Sequence, residues 1–158
     1  MATVALNQYQ KRQFGGGNPY GNVSNFVFAF TTNSSGAAVD SDSTSALAIG
    51  DVLDLGLLQE GMRLDDASIF IANAMKASVT CSLGFKYEDG VDDSNVPQDA
   101  AYFGTSLALS STGRVRANTG KLLTLPKPAR LIMTFAGANN DEAIDIKVLV
   151  TSELTGAR

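Results

Sequence analysis

The sequence has no histidine, no tryptophan and a single cysteine, Cys81. Without an imidazole there is no Ser–His or Cys–His pair to activate a nucleophile. Imidazole metal ligation and ordinary titration near neutrality are also missing. Metal chemistry on a β scaffold of the cupin type normally draws on histidines, so that reading is disfavoured on the same ground. One cysteine cannot form an intrachain disulfide, which fits synthesis in a reducing compartment. Charge is scarce too: 18% of residues are Asp, Glu, Lys or Arg, against about a quarter in an average soluble domain. The net charge of −4 is too mild for a nucleic-acid or membrane-surface binder. No apolar run approaches the roughly 20 residues that span a bilayer. The opening MATVALNQYQ lacks the charged and apolar regions of a signal peptide.

What is present is alternation. In NFVFAF, Phe26, Phe28 and Phe30 fall on one face of a strand, because strand side chains alternate with period two. Leu47, Ile49, Leu53, Leu55 and Leu57 share odd positions, with Gly50 and Gly56 as expected bends or bulges. Ala67, Ile69 and Ile71 follow, with a turn expected at Asn73. Residues 76–87 alternate most clearly: Ala77, Val79, Cys81, Leu83, Phe85 and Tyr87 interleave with small or basic residues. Further strands are expected near 102–109, 114–117 and 121–125, then at Leu131/Met133/Phe135 and Ile144/Ile146/Val148/Val150. Eight or nine short strands without a long helix predict an all-β fold, an antiparallel sandwich or barrel. The length of 158 residues fits one such domain. Residues 1–22 read differently. GGGNPYG frees the backbone and Pro19 blocks regular pairing, so this stretch is expected to be an arm with a glycine-rich hinge, ahead of a sandwich over 23–158. GGGNPYG also lacks the Lys-Ser/Thr ending of a phosphate-binding loop.

The charges are segregated along the chain. Acids dominate from Asp40 to Asp66 and again from Glu88 to Asp99, whereas Arg114, Arg116, Lys121, Lys127 and Arg130 come with no acid among them. Segregation of this kind can set up contacts between subunits, or it can reflect solvated loops. Arg114 and Arg116 share one strand face and can hold an acidic partner. In the arm, Tyr9, Lys11, Arg12, Phe14 and Tyr20 are the expected contact residues, because aromatics and arginine are enriched at interface centres. The Asp-rich loops do not match calcium-loop spacing. Adjacent carboxylates such as Asp65/Asp66 point to opposite faces of a regular strand, which makes them poor acid–base pairs. Cys81 alternates with core residues and is expected to be a buried thiol. No catalytic residue, metal or cofactor is expected.

Beyond these patterns, GDVLDLGLLQEGMRLDDASIFI, KASVTCSLGFKY, YFGTSLAL, LLTLPKPARLIMTFAGA and IDIKVLVTSEL occur in an order that resembles a known group. These are the small β-sandwich proteins encoded beside the major capsid protein of tailed bacteriophages, which decorate or cement the head. The resemblance covers residues 47–154 and lies in strand spacing, not in a chemical signature. It implies a jelly-roll-like fold, a homo-oligomer (dimer or trimer), and binding across joints of the major capsid protein on the outer surface of the virion. It also implies synthesis in the host cytoplasm. The alternative is a receptor- or carbohydrate-binding sandwich, for which Tyr87 and Tyr102 are the available sugar-stacking rings.

Overall fold

The computed structural model describes residues 1–6, 23–119 and 121–155. Among them ten strands follow in chain order: β1 (Thr3–Ala5), β2 (Val23–Thr31), β3 (Val52–Leu58), β4 (Met62–Asn73), β5 (Thr80–Tyr87), β6 (Asp99–Ala108), β7 (Gly113–Arg116), β8 (Leu123–Thr124), β9 (Ala129–Ala136) and β10 (Asp145–Leu154). No helix occurs among the described residues. Sheet 1 has the order β1-β3-β9-β5-β6; sheet 2 has β2-β10-β4-β7, with β8 also on β4. Every pairing is antiparallel except the parallel addition of β1 to β3. The chain is thus the all-β sandwich that its alternation predicts.

The alternation works where strands are regular. Along β5, Cys81, Leu83, Phe85 and Tyr87 are all buried, as are Leu131, Met133 and Phe135 on β9 beside them. From the facing sheet, β10 contributes Ile146, Val148 and Val150, and β4 contributes Ala67, Ile69 and Ile71. These two inner faces make one core. Rings fill its far end: Phe85 meets Tyr87 and Tyr102 edge-on at 5.7 Å each, and Tyr102 meets Phe103 at 4.8 Å. The Tyr102 hydroxyl crosses to sheet 2 and lies 2.9 Å from the carbonyl oxygens of Leu64 and Lys121, to which it donates. A buried phenol requires such a partner.

Four expectations need correction. The odd-position rule fails in β3, because a register shift between Asp54 and Gly56 flips the phase. Leu53, Leu55 and Leu58 are buried, Leu57 is only half-buried, and Ile49 lies exposed before the strand. Gly56 sits at the shift with φ +148°, and the Phe28 ring occupies the space its Cβ would need, 2.8 Å away. Phe28 and Phe26 are consequently half-buried at the margin, and only Phe30 of the three is in the deep core. Ala77 is exposed in a turn, since β5 starts at Thr80. Finally, the first six residues are not outside the core. Val4 and Leu6 are buried, the backbone N–H of Ala2 donates to Asp51 Oδ1, and that of Ala5 donates to Asp42 Oδ1. Val4 and Leu6 fall on alternate positions, the same signal read elsewhere in the chain.

Two measurements follow from this packing. Phe85→Ala should cost about 3–5 kcal/mol in denaturant unfolding, and Phe28→Ala about 2 kcal/mol or less, because only the first leaves a closed cavity. Equal losses would put Phe28 in the deep core. Removing residues 1–6 should destabilise by about 3 kcal/mol or more through Val4 and Leu6 alone. That corresponds to a melting temperature lower by roughly 5–10 °C, and an unchanged melt would show that β1 does not hold the sheet.

Candidate interaction surface

The basic stretch from Arg114 to Arg130 is largely matched within the chain. Arg116 pairs with Asp66 at 2.7 Å, Lys121 with Asp99 at 2.7 Å, and Lys127 with Asp89 at 2.7 Å. Arg130 lies 3.0 Å from Asp54 and 3.7 Å from Glu88. Strands distant in sequence thus bring the acidic and basic blocks together. The exposed pairs among these contribute about 0–1 kcal/mol each, so they organise the surface more than they stabilise the fold, whereas Arg130 meets a buried Asp54. Lys121 holds the Asp99 carboxyl below the usual carboxylate range, and Lys127 does the same for Asp89.

Arg114 is different. It shares the outer face of β7 with Arg116, as the sequence predicts, since the register sets Arg116 beside Ser68 and Arg114 beside Phe70. Arg116 is taken by Asp66. Arg114 instead donates to Ser68 Oγ at 2.9 Å and stacks 5.2 Å over the Phe70 ring. No carboxylate pairs with it among the described residues. Lys147 stands on the other side of Phe70 in the β10 register. The three line an open depression of about 340 Å³, whose acid, Asp145, lies 3.9 Å from Lys147.

The acidic loop between β5 and β6 is built from its own carboxylates. Asp92 Oδ1 accepts from the backbone N–H of Asp93 and Gln98, and Asp93 Oδ1 from those of Asn95 and Val96. The backbone donors of Val96 and Asn95 lower the Asp93 carboxyl. Short polar side chains that bond their own backbone in this way fix turns. The adjacent pair Asp65/Asp66 also departs from expectation. A register shift beside them turns both outward, and each is consumed by its own arginine, Asp65 by Arg63 at 2.7 Å.

The sugar-stacking candidates are lost. Tyr87 and Tyr102 are 1% and 2% exposed, Tyr87 lies beneath Lys127, and both rings face other aromatics. The arm residues Tyr9, Lys11, Arg12, Phe14 and Tyr20 lie outside the described residues. Alternation in the sequence puts Lys147 outward on its strand, but nothing there sets it or Phe70 beside Arg114. Their proximity to Arg114 arises from cross-strand register, a long-range property.

No family model matches the sequence, and no curated protein matches it. Solved structures do match the fold, and they come from bacteriophage capsids. A chain from the capsid of Ralstonia phage GP4 aligns with a TM-score of 0.68 at 15% identity, covering 98% of this chain and 99% of that one. A chain of the cyanophage Pam1 capsid asymmetric unit aligns at 0.55 and 16%, covering 94% and 97%. A chain of the acid-stable capsid of Helicobacter pylori bacteriophage KHP30 aligns at 0.50 and 14%, covering 85% and 94%. At these identities the likeness is one of fold: this protein shares its sandwich with chains found in phage capsids.

Cys81 is buried in the core, and burial pushes its thiol from 9.0 up to about 12. Burial likewise pushes the Tyr102 phenol from 10.0 to about 12. Groups raised on folding contribute stability that is complete below their unfolded values and is lost as pH rises through the folded ones. Stability should therefore hold up to pH 9 and decline from there to about pH 12. Thiol reagent should label the native protein only at the rate of unfolding; rapid labelling at neutral pH would overturn the buried assignment.

Proposed function

We propose that this chain is a structural, non-catalytic virion protein that decorates the outer surface of a phage capsid and stabilises it by bridging major capsid subunits, self-associating as a homo-oligomer. It is made in the host cytoplasm and joins the assembled head. The observation that carries this reading is the two-way coverage in the fold comparison. A chain of nearly this length, matched almost end to end, occurs in the capsid of Ralstonia phage GP4. The sequence supports it: a chain without histidine offers little to catalysis, and a surface poor in charge suits packing against neighbours.

The mechanism is mass action. A sandwich that binds only where subunits adjoin has affinity for the shell and none for the separated subunits, so binding favours the assembled state. Several weak contacts on one lattice add through effective concentration, and the shell is bound more tightly than any single subunit. Purified particles of the source should contain this chain in a fixed ratio to the major capsid protein. Recombinant protein added to undecorated particles should co-sediment and raise the shell's melting temperature. Particles that lack the chain, or that neither bind it nor gain stability, would refute the reading.

A further inference from the structure

We infer that the depression around Phe70 is a docking site for a second copy of this chain, and that the occupant is the tip of the acidic loop at residues 88–98. The contact gives a location to the self-association of the proposed function and rests on that reading. Its two halves are complementary in both polarity and charge. At the depression Phe70 is 39% exposed, with Arg114 on one side and Lys147, whose side chain is 55% exposed, on the other. At the loop tip Val91 is 61% exposed, beside Asp92 and Asp93. Each half is therefore an apolar centre flanked by charge, positive on one and negative on the other.

The charges that would meet are those left over from internal pairing. Arg114 is held in place by a hydroxyl and a ring, with no acid partner among the described residues. Asp145 in the depression is nearest to Lys147, leaving Arg114 as the uncompensated cation. In the loop, Lys127 is bonded to Asp89 and to the carbonyl of Val91, whereas Asp92 and Asp93 form no ion pair among the described residues. Each of these aspartates uses Oδ1 to hold the loop. Oδ2 of each makes none of those bonds and is the atom offered to a guanidinium. Both halves are thus ordered before they meet, which lowers the entropy lost on contact.

One molecule cannot satisfy itself this way. The depression lies toward the end where β4 finishes at Asn73, next to Asp145, and where the chain turns to start β5 at Thr80. The loop follows the other end of β5, after Tyr87. Eight strand residues at about 3.3 Å each separate these ends by roughly 25 Å. Each copy then presents one loop and one depression at opposite ends, and copies join head to tail in a ring or as an antiparallel pair.

The test uses the full-length chain in sedimentation-velocity runs over a concentration series. Arg114→Gln should weaken self-association about tenfold or more, as should the loop variant Asp92→Asn/Asp93→Asn, which keeps the Oδ1 acceptors. Combining the two sets should cost no more than either alone, because each removes the same contact. Added salt should weaken the wild type more than the variants. Thermal melts and circular dichroism confirm that each variant is folded. Additive losses, unaffected association, or a wild type that is monomeric throughout would each overturn the contact. Co-sedimentation with undecorated particles is measured in parallel. If wild type is monomeric yet Arg114→Gln fails to bind particles, the depression takes a capsid subunit and this inference fails while the decoration reading survives. If no variant or wild type binds particles but the self-association pattern holds, the reverse is true.

Discussion

Sheet 2 depends on one strand being paired along both of its edges. β10 is matched residue by residue with β2 from Asp145 to Glu153, and pairs with β4 from Asp145 to Leu154 with two register shifts. Period-two alternation then leaves no freedom. With Ile146, Val148 and Val150 in the core, Lys147 must stand on the outer face, beside Phe70 and in line with Arg114. A slip of one residue would bury Lys147 and expose three aliphatic side chains, a cost of several kcal/mol. The outer surface around Phe70 is in this sense dictated by the core beneath it.

Legibility followed regularity. β5 could be read from its own residues because its inner face runs unbroken from Cys81 to Tyr87. β3 could be located but not phased, since alternation says that Leu55 and Leu57 share a face and the shift before Gly56 says otherwise. The glycine announced an irregularity without revealing which side chains it would move. β1 was hidden by length: Thr3–Ala5 is a strand only because β3 offers it an edge, and the glycines that follow drew attention away from Val4 and Leu6. The surface was least legible. Arg114 and Arg116 were visible as a pair, but the difference between them is decided by Asp66 and Phe70, more than forty residues away.

The segregated charges carry a related lesson. Blocks of acid and base along a chain look like an invitation to another molecule. Here antiparallel pairing folds most of the basic block onto acids of the same chain, so that Arg116, Lys121, Lys127 and Arg130 are answered internally. What distinguishes an interface residue is the remainder after that cancellation.

The position of β10 in the middle of sheet 2 also bears on how the chain comes off the ribosome. Its residues, 145–154, are the last of the ten strands to be made, yet β2 and β4 pair with each other only through them. Until they emerge, the phenylalanines of β2 and the isoleucines of β4 have no strand between them and the two edges stand open. Such non-local pairing is slow and leaves sticky edges in the meantime. Sheet 2 therefore closes only once β10 has been made, and until then its open edges are exposed to pairing with other chains.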